Sequence, residues 1–105
     1  MPDRDETIKT IKQALKQRTG RQWSVTGGRG TAYGWIEIRA IKKYAANEWG
    51  DLTDDDQAYL AQLLGLDRKA HRQGVSIPAS SNYYSEYIAR AKGETPEVYG
   101  EPYWD

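Results

Sequence analysis

The feature that most constrains the fold is a change in hydrophobic period near residue 22. Before it, apolar side chains recur three or four residues apart, at Ile8, Ile11 and Leu15, which is typical of an amphipathic helix. After it, apolar and polar residues alternate in two short runs that flank the glycine-rich segment 27–34. Two alternating runs around such a segment predict a β-hairpin whose loop is longer than a two-residue turn.

Capping residues mark the ends of the helices. Asp3 precedes the first helical stripe, and Gly20 follows it where a left-handed C-terminal cap is expected. Thr53 precedes three aspartates that would meet the positive end of a helix dipole, before an apolar stripe that ends near Gly65. A last helix is predicted to begin at one of the capping residues 80–82.

These elements form one α+β domain spanning residues 1–105, in the order α-β-β-(α)-α-β-α. The bracketed element covers residues 41–50, whose apolar positions fit either a helical face or a continued strand. The third strand is the segment 74–78, which a proline stops. We predict a three-stranded, mainly antiparallel sheet with helices packed on one face. Residues 94–105 are expected to form an extended tail packed on the domain, because their prolines exclude a regular helix.

Aromatic residues replace part of the aliphatic core. The chain has six Leu, seven Ile, three Val and no Phe, but eight Tyr and four Trp. It contains no cysteine, which excludes disulfides, thiol catalysis and cysteine-ligated zinc. Its charged start does not resemble a signal peptide, and no stretch approaches the roughly 20 apolar residues of a membrane span. We therefore expect a soluble, cytoplasmic protein.

The net charge is zero, but the charge is distributed unevenly along the chain. Residues 1–44 hold ten Lys and Arg against four Asp and Glu, whereas residues 45–105 hold five against eleven. Such asymmetry is found where a basic region binds a polyanion. The alternative is that the two halves pack together and neutralise each other.

The segment 27–34 carries the strongest candidate site. It lacks the Gly-Lys-Ser/Thr of a Walker loop, and its glycines have the wrong spacing for a dinucleotide fingerprint. Exposed backbone N–H groups in a glycine loop can nevertheless cradle an anion. An arginine at the tip adds a planar guanidinium that binds phosphate or carboxylate. The alternative is that the glycines only supply the positive φ angles of a wide turn. The predicted ligand-binding residues are Arg21, Gly28, Arg29, Gly30, Tyr33, Trp35 and Arg39.

Two of the tryptophans differ in their predicted positions. Trp23 alternates with polar residues in the first strand and is expected in the core. Trp35 shares its strand face with Glu37 and Arg39 and is expected on the less buried side of the sheet. Interleaved arginine and aromatic side chains suit nucleic acid, because arginine neutralises phosphate while rings stack on unpaired bases.

No catalytic, metal-binding or cofactor-binding set is predicted. The aspartates of segment 51–56 lack the glycine and glutamate that a calcium loop requires at its sixth and twelfth positions. His71 is the only histidine, so it provides neither a triad nor a metal cage. Glu48 and Glu86 could act as an acid/base pair only if the fold brought them together.

The chain resembles small bacterial proteins without an assigned activity, and the likeness covers most of it from Lys12 onward. It is carried by residues 23–36 (WSVTGGRGTAYGWI), residues 74–78 (GVSIP) with Tyr83, Tyr84 and Tyr87, and residues 102–105 (PYWD). More faintly, the chain is similar to domains of large polyvalent proteins of phages and conjugative elements. This resemblance implies a role near mobile DNA or in conflict between cell and phage, with nucleic acid or a defence protein as partner.

Together these features favour a non-enzymatic binding module that presents the hairpin 27–35 to a polyanion, with nucleic acid as the expected ligand. The alternative is a protein-interaction, inhibitor or self-association domain associated with mobile elements or host defence. The pI of about 6.6 favours this alternative, because dedicated nucleic-acid domains are usually more basic.

Overall fold

The computed structural model describes residues 3–28 and 34–99. Its elements are α1 (Arg4–Thr19), β1 (Trp23–Gly27), β2 (Ile36–Ala40), a 3-10 turn (Lys42–Tyr44), α2 (Asp54–Leu64), β3 (Val75–Ile77) and α3 (Ser81–Ala91). The predicted α+β fold with a three-stranded antiparallel sheet is confirmed. The optional helix at residues 41–50 is reduced to the short 3-10 turn.

The helices begin at the predicted capping residues. The Asp3 carboxylate accepts a hydrogen bond from the Glu6 N–H at 2.7 Å. The Thr53 hydroxyl accepts one from the Asp56 N–H at 3.1 Å, and Ser80 caps α3 in a similar way. These bonds satisfy N–H groups that a helix leaves unpaired in its first turn. Within the two described ranges, no helix is long and apolar enough to cross a membrane.

The sheet has the strand order β1-β2-β3, and its two faces differ in polarity. The inner face carries buried apolar side chains: Trp23, Val25, Ile36, Ile38, Ala40, Val75 and Ile77. On this side α1 packs on β1, α3 packs on β3 and on α1, and α2 packs on α3. The outer face carries the alternating polar residues: Ser24, Thr26, Glu37, Arg39 and Ser76.

Trp23 lies in the core, as its place in the first alternating run predicts. It is 0% exposed, and its indole N–H donates to the Thr19 hydroxyl at 3.1 Å. Its ring centre lies 6.1 Å from that of Tyr59 on α2. A buried indole needs a hydrogen-bond acceptor, so Thr19 at the end of α1 completes the packing between helix and sheet.

The stem of the hairpin is anchored to two helices. The Gly28 N–H donates to the Trp35 carbonyl at 2.7 Å, which extends the β1–β2 register by one pair. Arg4 of α1 donates to the Gly28 carbonyl at 3.2 Å. The Tyr84 hydroxyl of α3 donates to the Gly34 carbonyl. Both strands of the stem are therefore tied to the helical layer, one by α1 and the other by α3.

The segment after α3 is described only as far as residue 99. Pro96 is buried, whereas Val98 and Tyr99 are exposed. Residues 100–105 fall outside the described part of the chain, so the packing of residues 94–105 on the domain stays a prediction.

Candidate binding face

The outer face of the sheet forms a groove of about 390 Å³. The helices lie on the other face, so this groove is open to solvent. It offers hydroxyl, carboxylate, guanidinium and ammonium groups together with one indole ring. We call it the outer groove, and its lining includes Ser24, Thr26, Glu37, Arg39, Lys42 and Trp49.

Trp49 is the most exposed large apolar residue in the described part of the chain, at 70%. The loop that carries it is closed by one side chain. The Asn47 Oδ1 accepts from the N–H of Trp49 at 3.0 Å and from that of Asp51 at 3.3 Å. The Asn47 Nδ2 donates to the Asp51 carboxylate at 2.9 Å. The ring is therefore exposed on a loop whose backbone is fixed by hydrogen bonds.

Further contacts fasten this loop to β2. Arg39 lies 3.8 Å from the Asp51 carboxylate, and its Nε donates to the Gln73 carbonyl at 2.8 Å. Gly50 has a φ of +83°, and a Cβ there would lie 3.2 Å from the Ala40 carbonyl oxygen. Because only glycine combines this angle with so close an approach at no strain, the loop sits firmly against the end of β2.

Three exposed cations lie near this end of the sheet. Lys42 and Lys43 follow β2 in the 3-10 turn. Arg72 precedes Gln73, whose carbonyl accepts from Arg39 of β2 at 2.8 Å, and its own carbonyl accepts from the Leu52 N–H at 2.7 Å. We call Lys42, Lys43 and Arg72 the basic rim. All three are exposed, and none of them forms an ion pair within residues 3–28 and 34–99.

Arg21, one of the predicted ligand-binding residues, is engaged by the protein itself. Its guanidinium carbon lies 4.1 Å from the Trp23 ring centre and 4.6 Å from that of Tyr44. Its Nη2 lies 2.9 Å from the Asp56 carboxylate, and only 19% of the side chain is exposed. The charge of Arg21 is therefore balanced by a carboxylate of α2 and by aromatic rings.

The remaining predicted residues belong to the hairpin and to β2. Gly28 and Trp35 pair with each other in the stem, and the Gly28 N–H is used in that pair. Strand alternation puts the half-buried Trp35 on the same side of the sheet as Arg39. The structure thus brings Trp35 and Arg39 to one face and separates Arg21 from them. Three further predicted residues lie outside the described part of the chain: Arg29, Gly30 and Tyr33.

The candidate acid/base residues are not brought together. Glu86 is buried on α3 and pairs with Arg90 at 2.9 Å. Glu48 lines the outer groove, on the opposite side of the sheet. His71 is exposed, and its Nδ1 accepts from the Gln73 N–H at 3.1 Å. Among the described residues, no group of three or more His, Asp or Glu side chains could hold a metal ion.

Sequence reasoning missed Trp49 and Arg72. Trp49 lies in a segment whose apolar pattern fits either a helix or a strand. Asn47 before it and Gly50-Asp51 after it are typical of a turn and could have indicated that Trp49 lies on a loop. Arg72 follows α2, where positive charge is readily explained by the helix dipole. Only tertiary contacts bring it near β2, through the hydrogen bond from Arg39 to the carbonyl of the neighbouring Gln73.

Comparisons of the chain with models of known families, with curated proteins and with solved structures find no match. The outer groove and the basic rim are therefore the basis on which a function can be inferred.

Proposed function

We propose that the protein is a non-enzymatic binding module that holds nucleic acid, a polyanion, on the outer groove. The observation that carries the proposal is that the exposed Trp49 and Lys42 both line the open outer groove. The other two rim cations are exposed next to groove contacts: Lys43 follows Lys42, and Arg72 precedes Gln73, whose carbonyl accepts from Arg39. The rim neutralises phosphates, and the indole offers a surface on which a base stacks. The hydroxyls of Ser24 and Thr26 donate to or accept from phosphates, sugars and bases.

The mixed charge of the outer groove favours recognition of bases over a purely electrostatic attraction to phosphates. Glu37 and Glu48 line it together with Arg39 and Lys42. A carboxylate repels phosphates but accepts hydrogen bonds from amino groups on bases, such as that of cytosine. We therefore expect phosphates to lie along the basic rim and bases to lie over the groove.

The binding residues of this proposal differ in part from those that the sequence indicates. Arg21 is left out, because Asp56 and the surrounding rings already engage its guanidinium. Trp35 and Arg39 stay, since they share the outer side of the sheet. Arg39 is also paired with a carboxylate, but its pair with Asp51 is longer, at 3.8 Å, and 28% of its side chain is exposed. Arg29 stays a sequence-based prediction, because it lies outside the described part of the chain.

Titration of labelled single- and double-stranded oligonucleotides tests this proposal. Binding is expected in the micromolar range at low salt, with a slope of about −2 in a plot of log affinity against log salt if the three rim cations meet phosphates. The double reversal Lys42→Glu with Arg72→Glu should remove most of the affinity. The matched reversal Lys12→Glu with Lys16→Glu changes two exposed cations of α1 instead and should leave most of it. Absence of binding at micromolar protein, or an equal loss in both variants, contradicts the proposal.

A protein partner is the second candidate, and the mixed charge of the groove favours it. Carboxylates and cations around an exposed tryptophan also suit a protein interface, whose core is enriched in aromatic residues and arginine. The fainter similarity of the chain to domains of large polyvalent proteins of phages and conjugative elements fits a partner from host defence or self-association. Sedimentation at low and high salt tests self-association: a dimer that dissociates with salt supports it, and a monomer at both excludes it.

A further inference from the structure

We propose that Trp49 makes the outer groove selective for unpaired bases, so that a single strand binds more tightly than a duplex. This inference rests on the proposed function and names its substrate class. With 70% of the residue exposed, at least one face of the indole is open to a flat ligand. A base stacked on that face removes both π-surfaces from water.

The loop fixes the backbone that carries the indole before any ligand binds. Asn47 accepts from the backbone N–H groups of Trp49 and Asp51, and Asp51 is paired with Arg39 of β2. A side chain on a fixed backbone loses less conformational entropy on binding than one on a mobile loop. Asn47 touches the loop backbone rather than the ligand, so it is a positioning residue.

A duplex cannot use this ring in the same way. Each base inside a duplex is covered on both faces by its neighbours, so that only the terminal pairs have an open face, and exposing any other face requires unstacking. The phosphates of a duplex can therefore reach the basic rim, but its bases cannot reach Trp49 without that penalty. The rim contributes to the binding of both forms, and the ring contributes only to that of single strands.

Fluorescence anisotropy tests this inference. The ligands are a short mixed-sequence oligonucleotide and its duplex, and inorganic polyphosphate serves as competitor. The wild-type protein should prefer the single strand by about fivefold or more, the effect expected of one stacked base. Trp49→Ala should remove this preference and leave duplex binding unchanged, whereas Trp49→Phe should keep much of it. Tyr99→Ala removes another exposed ring, near the ends of α2 and α3, and should change neither affinity.

The positioning role of Asn47 has its own readout. Asn47→Ala should weaken single-strand binding alone, and it should have no further effect when Trp49 is already alanine. Equal wild-type affinity for both forms, or an equal loss of both in Trp49→Ala, overturns the inference and leaves polyanion binding in place. If neither oligonucleotide form binds the wild-type protein, the proposed function fails and the inference fails with it.

Discussion

The arginines of the helical layer and the cations of the basic rim carry the same charge but have different surroundings. Arg18 donates to the carbonyls of Leu63 and Ala91, both at 2.8 Å, and so joins α1 to the ends of α2 and α3. Arg21 is paired with a carboxylate of α2. The three rim residues, by contrast, are exposed and form no ion pair within the described ranges, although the Lys43 ammonium lies 5.5 Å from the Tyr44 ring centre. The comparison teaches that a basic stretch of sequence does not reveal which of its cations are available to a ligand.

The chemistry of the guanidinium explains much of this division. Helices leave backbone carbonyls unpaired in their last turn, and arginine offers five N–H donors that can satisfy several of them at once. Arg4, Arg18 and Arg21, all in the basic N-terminal half, are each bonded to the protein itself. Two of the three cations of the basic rim are lysines, which stay hydrated on flexible stems and suit an exposed phosphate site.

Among the substitutions that test this comparison, removing Arg21 should have the largest effect on the free energy of unfolding. Arg21→Ala leaves the Asp56 carboxylate unpaired where it is half-buried and removes the cation from the Trp23 ring. We expect the free energy of unfolding to fall by about 2–3 kcal/mol, measured by urea denaturation. Arg68→Ala serves as the control, since Arg68 is exposed and has no hydrogen bond or ion pair among the described residues. An Arg21→Ala protein as stable as this control would show that Arg21 is not part of the scaffold.

Removing Arg18 should have a smaller effect. Arg18→Ala leaves the terminal carbonyls of α2 and α3 to water, since Arg18 is itself exposed. The expected loss is about 1 kcal/mol, or about 4–8 °C in Tm for a domain of this size, measured by thermal unfolding. Arg18→Lys keeps the charge but not the planar guanidinium with its several N–H donors, and should recover less than half of the loss. Full recovery by lysine would mean that charge alone matters at this position.

Reversing the basic rim should change stability least. Lys42→Glu with Arg72→Glu alters exposed side chains that form no ion pair within the described ranges, so the free energy of unfolding should change by less than about 0.5 kcal/mol. Urea denaturation of the double variant beside the wild type measures this. A loss as large as that of Arg21→Ala would place the rim within the scaffold and remove the contrast between the two regions.

The fold could be predicted because its signals are local. The caps Asp3 and Thr53 act within their own helices, and strand alternation alone puts Trp23 in the core. A repeat of three or four residues marks the buried face of a helix, and a repeat of two marks the buried face of a strand. These repeats are sufficient to assign the inner face of the sheet.

The candidate site could be predicted only in part, because it is assembled from distant segments. Arg39 and Trp35 share a face by alternation, which sequence can show. The ion pair that engages Arg21 joins it to Asp56 on another element. The placement of Arg72 near Arg39 likewise depends on the chain returning to the sheet after α2, where Arg39 donates to the carbonyl of the neighbouring Gln73, and no local pattern encodes it.

Under the proposed function, ligand binds the outer groove and not the basic surface of α1. Titration of the isotope-labelled protein with a single-stranded oligonucleotide, followed by NMR amide and indole shifts, distinguishes the two surfaces. We expect shifts at Thr26, Arg39 and the Trp49 indole, with the signals of Lys12 and Lys16 unchanged. Shifts confined to α1, with the outer groove unperturbed, would contradict it.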